Sequence, residues 1–288
     1  MKKLFLWSLM VVLVTSIAGC GNLDLGADSE GSTLEKAKKE GKITVGFADE
    51  KPFAYKDEDG KPTGEAVEIA RKVFKRMGID EIEPVVTDFG SLIPGLKAGR
   101  FDVVTAGMYI TPERCKEVAF GEPEYSISEA LAVKEGNPEN LKSYEDVAEN
   151  PDVKIAVMKG AIEVSYMENA GVKKDQMKIV PNQPSAVSAL QSGRVDGITM
   201  TGPSLEAVLE SANAKKIEVV EDFKQPPEPR GTGAAAFRTD DEELRDAYNK
   251  ELKKLKESGE LLETIKPFGF TEDDLPGDKT TEQLCKGS

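Results

Sequence analysis

The sequence contains no histidine, only three cysteines and a single tryptophan among its 288 residues. Histidine is the commonest general base near neutral pH and the commonest metal ligand, so its absence argues against metal binding and against much acid–base catalysis. Positive charge is also scarce, because 38 basic residues face 52 acidic ones and the net charge is −14. A nucleic-acid-binding protein normally carries a basic surface. We therefore expect no nucleic acid, no metal and no cofactor to bind.

The overall composition is that of a folded, water-soluble protein. Hydrophobic residues make up 39% and charged residues 31% of the chain. These fractions differ from those of disordered chains and of proteins that cross a membrane many times. The length suits one large or two medium domains.

The N-terminal segment has the features of an export signal. Lys2 and Lys3 precede an apolar run over residues 4–14, about 11 residues long, which is too short to span a bilayer. The following TSIAGC resembles the lipobox of bacterial lipoproteins, whose cysteine becomes the acylated first residue. This predicts a signal peptide over residues 1–19, lipidation (palmitate) at Cys20 and a tether over residues 20–33. An ordinary secretory signal with a chance cysteine is the alternative.

From about residue 34 the chain alternates strand and helix patterns, which predicts an α/β fold. Strands are expected at 43–48, 82–87, 102–106, 154–158, 177–180, 197–200 and 234–237. Helices are expected on the stripe of Val67, Ala70, Phe74 and Met77, at 91–98, from Thr111-Pro112, from a capping box at Ser143 and Asp146, at 162–169, at 184–191, and from a Thr239-x-x-Glu242 cap to about Ile265.

Two segments repeat one pattern and predict two similar lobes. Residues 94–112 and 188–203 each contain a helix, a Gly-Arg-x-Asp sequence and a strand. The Gly-Arg-x-Asp sequence is typical of a helix end followed by a turn into a strand. We expect lobe 1 to hold residues 34–134 and 233–288, and lobe 2 to hold 135–232, with chain crossings near 135–138 and 225–233. Two crossings form a hinge, and ligands bind in the crevice between such lobes.

Several sequences resemble one protein family over nearly the whole mature chain. GFADEKPFAY, DFGSLIPGLKAGRFDVVTAGMYITPERC and the second GRVD are similar to the extracellular substrate-binding proteins of ABC importers, of the polar amino-acid type. Within that group, FGSLIPGLKAGRFD and AGMYITPERC most resemble the ectoine/hydroxyectoine-binding proteins. The resemblance implies a two-lobed periplasmic-binding-protein-like fold of type II.

Two charged residues are candidates for binding a ligand in lobe 1. Arg114 lies at the start of a short helix, where its planar fork and nearby N–H groups suit a carboxylate. The resemblance implies that Arg114 clamps the ligand carboxylate, and a surface ion pair is the alternative. Glu50 follows the first strand and suits a ligand cation, unless it is an ordinary solvated carboxylate.

Three aromatic residues are expected at the crevice, because each follows a predicted strand or precedes a turn at its carboxyl end. These are Phe53, Phe89 and Tyr109. Aromatic faces attract a delocalised cation by about 0.5 to 2 kcal/mol each. The resemblance implies that the three rings hold the cyclic amidinium of the ligand, and packing in the core is the alternative for each.

Lobe 2 departs from the pattern of amino-acid binders, which usually place an aspartate after the second Gly-Arg-x-Asp. Thr201 stands there instead, and this favours a ligand whose positive charge is spread over a ring. Ala161 and Ile162 lie in a turn at a helix N-terminus, where backbone N–H groups suit the ligand carboxylate. Asn182 and Gln183 are weaker candidates.

The sequence therefore predicts a lipid-anchored, extracytoplasmic receptor that binds ectoine or hydroxyectoine and passes it to ABC permease subunits. We expect a monomer without enzymatic activity. The alternatives are a receptor for polar amino acids and an enzyme similar to cyclohexadienyl dehydratases on the same fold, with Glu50 as its acid. Cys115 and Cys285 form an even pair in an oxidising compartment, which predicts a disulfide.

Overall fold

The computed structural model describes residues 31–226 and 230–287. The predicted signal peptide, Cys20 and most of the tether lie outside these residues. None of the helices in the described ranges is long and apolar enough to cross a membrane. The strands are β1 (Lys42–Phe47), β2 (Tyr55–Lys56), β3 (Pro62–Thr63), β4 (Glu81–Val86), β5 (Val103–Val104), β6 (Ala119–Phe120), β7 (Tyr125–Ile127), β8 (Glu129–Lys134), β9 (Ile155–Met158), β10 (Met177–Val180), β11 (Gly197–Thr201), β12 (Ile217–Val219), β13 (Gly231–Gly233) and β14 (Ala236–Phe237).

Eleven α-helices occur within the described part of the chain. They are α1 (Thr33–Glu40), α2 (Glu65–Arg76), α3 (Leu92–Lys97), α4 (Pro112–Cys115), α5 (Tyr144–Glu149), α6 (Glu163–Asn169), α7 (Gln183–Gln191), α8 (Gly202–Ser211), α9 (Glu242–Glu257), α10 (Glu260–Ile265) and α11 (Thr281–Lys286). Short 3-10 turns lie at Phe89–Ser91, Lys266–Phe268 and Glu272–Asp274.

Two five-stranded sheets organise the fold, and we call the part around each one lobe 1 and lobe 2. The strand order is β4-β1-β5-β14-β6 in lobe 1 and β10-β9-β11-β8-β12 in lobe 2. In each sheet three neighbouring strands are parallel and the remaining two pair antiparallel. The parallel strands are covered by helices and are mostly apolar, as buried parallel sheets require. The predicted α/β, two-lobed fold is confirmed.

The repeated Gly-Arg-x-Asp sequence ends a helix in both lobes, as the sequence predicts. Gly99 and Gly193 have φ of 67° and 69°, which is the left-handed conformation that a helix C-terminus often adopts. The aspartates then bind the neighbouring strand. Asp102 accepts a hydrogen bond from the Thr44 backbone N–H at 3.2 Å, and Asp196 accepts one from the Lys154 N–H at 3.0 Å.

The first chain crossing differs from the sequence-based expectation. Strand β8 pairs with β11 in lobe 2, whereas β7 pairs with β13. The chain therefore changes sheet at Ser128, before the crossing expected at 135–138. Which sheet a strand joins depends on distant partners, so local patterns do not reveal it. The lobe boundaries stay a prediction, and the strand pairing favours Ser128 for the first of them.

The prediction of one long C-terminal helix that runs to Ile265 is wrong in two respects. The helix divides into α9 and α10 at Gly259, whose φ of 78° is left-handed. Its N-cap is Asp241 and not Thr239. Helix α8 was not predicted, and the strand expected at 234–237 is shorter, as β14, and is preceded by a separate strand, β13. At Ser143 only half of the capping box forms, because Asp146 accepts from the Lys142 N–H.

Candidate functional site

A cavity of about 40 Å³, counted as space open to the centre of a water molecule, lies between the two lobes. Segments that follow strands of both sheets line it, together with the starts of α6, α7 and α8. This is the position where ligands bind in open α/β sheets. The lining residues are Glu50, Phe53, Phe89, Gly107, Tyr109, Arg114, Met158, Ala161, Ile162, Glu163, Gln183, Ala186, Thr199, Met200, Thr201 and Ser204.

All eight residues that the sequence assigned to ligand binding line this one cavity, although their contact with a ligand stays a prediction. Gln183, a weaker candidate, also lines it. Asn182 instead caps α7, where its side chain accepts a hydrogen bond from the Ser185 N–H at 3.0 Å. Glu163 and Ser204 were missed, because an acidic or hydroxyl side chain in a first helical turn is common and carries no signal of burial.

Glu50 is held in a tight loop and is buried. Its backbone N–H and carbonyl both pair with Ala54, at 2.7 and 2.9 Å. Only 6% of the residue is exposed, so it is not an ordinary solvated carboxylate. Burial raises the pKa of Glu50 well above its usual value, and the nearby charges of Glu163 and Asp49 raise it further. Burial thus works against the ionised form of Glu50.

Phe53 and Tyr109 have one side in the aromatic core of lobe 1 and line the cavity with the other. The Phe53 ring centre lies 5.2 Å from that of Tyr125 and 5.7 Å from that of Phe270. Gly107 permits this packing, because a Cβ there would lie 2.4 Å from the Phe53 ring. The Tyr109 ring is 6.2 Å from Tyr125. The two rings thus combine core packing with exposure to the cavity.

Arg114 lies in the cavity wall at the end of a short capped helix. Thr111 caps α4 by accepting from the Arg114 N–H at 3.2 Å, as predicted. The guanidinium donates from Nη1 to the Tyr109 carbonyl at 2.8 Å and from Nη2 to the Gly160 carbonyl at 3.0 Å. Burial lowers the pKa of Arg114 from its usual value, but an arginine remains charged near neutral pH. The other N–H groups of the fork remain for a ligand anion.

The lobes touch around the cavity in this structure. The Arg114–Gly160 hydrogen bond joins lobe 1 to lobe 2, and the Ser204 hydroxyl donates to the Lys51 carbonyl at 3.3 Å. The backbones at Gly90 and Gly160 are in close contact, because a Cβ on Gly160 would lie 2.8 Å from the Gly90 Cα. The two lobes are therefore in contact around the cavity.

The C-terminal tail, residues 271–287, binds lobe 1 beside Arg114 and beside the crossing. A disulfide joins Cys115 to Cys285, with a Cα–Cα distance of 5.7 Å. Lys279 donates to the Ser126 and Thr232 hydroxyls at 2.7 and 3.0 Å, which are on β7 and β13. The tail thus links the helix of Arg114 to the paired strands at the crossing.

The site contains none of the features of a metal centre. No group of three His, Cys, Asp or Glu residues that could hold a metal ion occurs in 31–226 or 230–287. The groups that line the cavity include the guanidinium of Arg114, which suits an anion, aromatic rings, and buried carboxyl groups that suit a cation or a hydrogen-bond donor.

Comparisons with known proteins agree with this interpretation. Residues 43–271 match the model of the bacterial extracellular solute-binding proteins, family 3. The chain is 36% identical to the probable amino-acid ABC transporter periplasmic-binding protein y4tE of Sinorhizobium fredii, over 94% of this chain and 92% of that protein. It is 40% identical to EhuB, solved in complex with hydroxyectoine, with a TM-score of 0.81 and coverage of 88% and 97%. An ancestral arginine-binding protein bound to arginine is 32% identical, with a TM-score of 0.69 and coverage of 79% and 98%. The chain belongs to the bacterial extracellular solute-binding proteins, family 3, and is similar to amino-acid receptors of ABC importers.

Proposed function

We propose that this solute receptor binds ectoine or hydroxyectoine and delivers it to an ABC permease. The observation that carries the proposal is the set of side chains around the cavity. They include Arg114, two buried carboxyl groups and three aromatic residues. Ectoine is a small zwitterion with a carboxylate and a cyclic amidinium, and these groups match the two ends of the site. The likeness to EhuB in complex with hydroxyectoine supports the same assignment.

The roles of the residues follow from their chemistry. Arg114 binds the ligand carboxylate, assisted by backbone N–H groups of the turn at Ala161 and Ile162. Phe53 and Tyr109 present ring faces to the amidinium, and Glu50 accepts its N–H groups. Because Arg114 also binds the Gly160 carbonyl of lobe 2, a ligand held by Arg114 favours closure of the lobes.

A cationic polar amino acid is the second candidate. Glu50 and Glu163 both line the cavity, while Arg114 is its one cationic lining residue. Two acidic groups and one basic group match a ligand with one carboxylate and two cationic groups, such as arginine. The likeness to an ancestral arginine-binding protein favours this candidate, and Thr201, where such binders usually have an aspartate, weighs against it.

Isothermal titration calorimetry distinguishes the candidates. The purified protein is titrated with ectoine, hydroxyectoine, glycine betaine, arginine and glutamine. We expect tight binding of ectoine or hydroxyectoine and weak or no binding of the amino acids. Tight binding of arginine with no heat from ectoine would reject the proposal in favour of the second candidate.

An enzymatic alternative is tested separately. A dehydratase needs a placed acid, and a neutral Glu50 is the carboxyl group suited to that role. The family to which the chain belongs consists of solute-binding proteins. Incubation with prephenate and arogenate should give no product.

Lipid anchorage through Cys20 is part of the proposal, since the sequence TSIAGC resembles a lipobox. The receptor is then held outside the cytoplasm at the membrane, as a monomer beside its permease. Wild-type protein expressed in bacteria should partition into detergent, and Cys20→Ala should stay unprocessed or be released. Wild-type protein found wholly in the aqueous phase would contradict the anchor.

A further inference from the structure

Two carboxyl groups of lobe 2 are buried together beside the cavity. Glu163 is the first residue of α6, lines the cavity and is 3% exposed. Glu129 is the first residue of β8, is 5% exposed and interacts with Glu163. The positive charge of Arg114, which acts on Glu163, comes from the opposite lobe. The pair therefore depends on lobe 1, or on a ligand, for charge balance.

Glu129 is fixed in place by both chain crossings. It follows Ser128, where the chain enters lobe 2, and in the sheet it pairs with Thr201. The side chain of Gln225, at the return crossing, binds the Glu129 backbone twice: its Oε1 accepts from the N–H at 2.9 Å and its Nε2 donates to the carbonyl at 2.9 Å. The Glu129 side chain is therefore placed by the hinge itself.

The polar atoms around this pair lack well-formed hydrogen bonds. Among the described residues, the carboxyl oxygens of Glu129 and the hydroxyls of Tyr109 and Thr201 make no well-formed hydrogen bond, although Tyr109 and Glu163 lie close enough to Glu129 to act on it. An unpaired ionised carboxylate is costly to bury. Two carboxyl groups in contact are most stable when they share one proton. Glu163 is the member of the pair that lines the cavity, so a cationic ligand group would meet the pair through Glu163.

In the protein without ligand, the proton that the two carboxyl groups share lies on Glu129. Burial and the neighbouring Glu163 raise the pKa of Glu129 well above its usual value. Burial also raises the pKa of Glu163, but the helix backbone, Glu129 and Arg114 oppose that rise. Glu163 thus carries the negative charge toward the cavity, and Glu129 stays neutral behind it.

We propose that Glu163 is a ligand-binding carboxylate on lobe 2 that contacts the cationic part of the ligand, and that Glu129 is its positioning residue, which releases its proton when that cation enters. The proton passes to the solvent, and the ligand's positive charge, which contacts Glu163 from the cavity, then balances the charge of the two carboxylates. This inference rests on the proposed function only in requiring a ligand with a cationic group.

Other titratable groups face the pair from several elements. They are Glu50, Tyr109, Arg114, Tyr125, Tyr144 and Tyr166. Burial raises the pKa of Tyr109, Tyr125 and Tyr144 well above 10, so these phenols stay neutral near pH 7. Glu50 is the one other carboxyl group among them, and its variant is included in the test.

Calorimetry in buffers of different ionisation enthalpy counts the protons released on binding. With ectoine, hydroxyectoine or arginine at pH 7 in phosphate and Tris, we expect the wild type to release about one proton. Its affinity should then rise with pH over the range in which this proton is released. Glu129→Gln should release about one proton fewer than the wild type and bind more weakly at pH 7, because a side chain fixed in the neutral form cannot gain the affinity that ionisation gives the wild type.

Glu163→Gln should weaken binding at least tenfold, because the anion that faces the ligand is lost. Glu168→Gln, on the exposed side of the same helix, is the matched control and should behave as the wild type. Glu50→Gln should still release a proton. If proton release is lost in Glu50→Gln but kept in Glu129→Gln, the assignment of the released proton to Glu129 is overturned.

A ligand-free measurement covers the case in which no tested solute binds. The infrared band of a protonated carboxylic acid at pH 7 should lose intensity in Glu129→Gln relative to the wild type, and an unchanged band would overturn the proposal. If arginine alone binds and releases the proton, the ectoine assignment fails and this inference stands. If ectoine binds without proton release, or if Glu163→Gln binds as tightly as the wild type, the inference fails and the ectoine assignment stands.

Discussion

The guanidinium of Arg114 lies over the ring of Phe89, with Cζ 5.6 Å from the ring centre. The sequence assigned Phe89 to the cation of the ligand, yet in the structure this ring faces a cation of the protein. A guanidinium stacked on an aromatic face keeps its fork in one plane. Phe89 therefore orients the residue that is expected to bind the ligand carboxylate.

Replacing Phe89 should weaken binding through Arg114. Phe89→Leu keeps an apolar side chain but removes the ring face, and we expect the dissociation constant to rise about 3- to 10-fold, for a loss of about 0.5–1.5 kcal/mol. A double-mutant cycle with Arg114→Lys, measured by calorimetry, tests the coupling. Additive effects of the two substitutions would show that Phe89 does not act through Arg114.

Arg114 itself should be essential for tight binding. Arg114→Ala removes the partner of a buried ligand anion, which costs about 2–5 kcal/mol, and Arg114→Lys should also weaken binding because an ammonium cannot replace the fork. Calorimetry measures the loss, and thermal unfolding without ligand verifies folding. Wild-type affinity in Arg114→Ala would mean that the carboxylate binds elsewhere.

Tyr109 should contribute mainly through its ring. Its hydroxyl makes no well-formed hydrogen bond among the described residues, so Tyr109→Phe should cost little in affinity, whereas Tyr109→Ala should raise the dissociation constant about 5- to 30-fold. Equal losses in the two variants would assign the effect to the hydroxyl. Gly231→Ala provides an independent test, because its Cβ would lie 1.7 Å from a Tyr109 ring atom and must displace the ring.

The parts of the fold that the sequence predicted well depend on neighbouring residues. Thr111-Pro112 begins a helix because a hydroxyl cap and a fixed φ suit its first turn, and Gly99 ends another because only a short range of chain is involved. The crossing at Ser128 was missed, since a strand's partner depends on distant packing. The break at Gly259 was missed although a left-handed glycine is a local signal of a helix end.

The same distinction applies to the site. Glu50 was found because it follows a strand and the carboxyl ends of strands converge in this class of fold, whereas Arg114 was found from its place in a short capped helix and from the family resemblance. The pair of Glu129 and Glu163 was not found, because the two residues lie on separate elements of lobe 2 and meet only when the sheet and α6 assemble. The burial of a glutamate cannot be predicted from its residue type, whereas the burial of a hydrophobic residue can.

The disulfide between Cys115 and Cys285 should stabilise the protein and the helix of Arg114. It closes a loop of 170 residues in sequence separation, and its loss should lower the free energy of unfolding by about 2–5 kcal/mol. Urea denaturation of the Cys115→Ser/Cys285→Ser double variant measures this. Dithiothreitol should destabilise the wild type but not the double variant, and two free thiols in freshly exported protein would contradict the bond.

Buried carboxyl groups in lobe 1 should make stability fall as the pH rises. The Tyr248 hydroxyl donates to Glu124 Oε1 at 2.6 Å, yet burial raises the pKa of Glu124 to about 7. In the unfolded chain a glutamate has a pKa of about 4.3, so between these values the folded protein binds more protons than the unfolded one. The group therefore stabilises the fold fully below about pH 4.3, and this contribution is lost at up to about 1.4 kcal/mol per pH unit until about pH 7.

Urea unfolding from pH 4.5 to 8 tests this dependence with two variants. Glu124→Gln should reduce the slope, because the amide accepts from Tyr248 without titrating, and Glu65 should account for part of the slope that remains, since burial raises its pKa as well. Tyr248→Phe removes a hydrogen bond that favours the charged carboxylate, so it should raise the pKa of Glu124 and extend the sloping range upward. Identical slopes in the wild type and Glu124→Gln would show that Glu124 is already ionised in the folded protein, which would require a positive charge such as Lys256 to outweigh its burial.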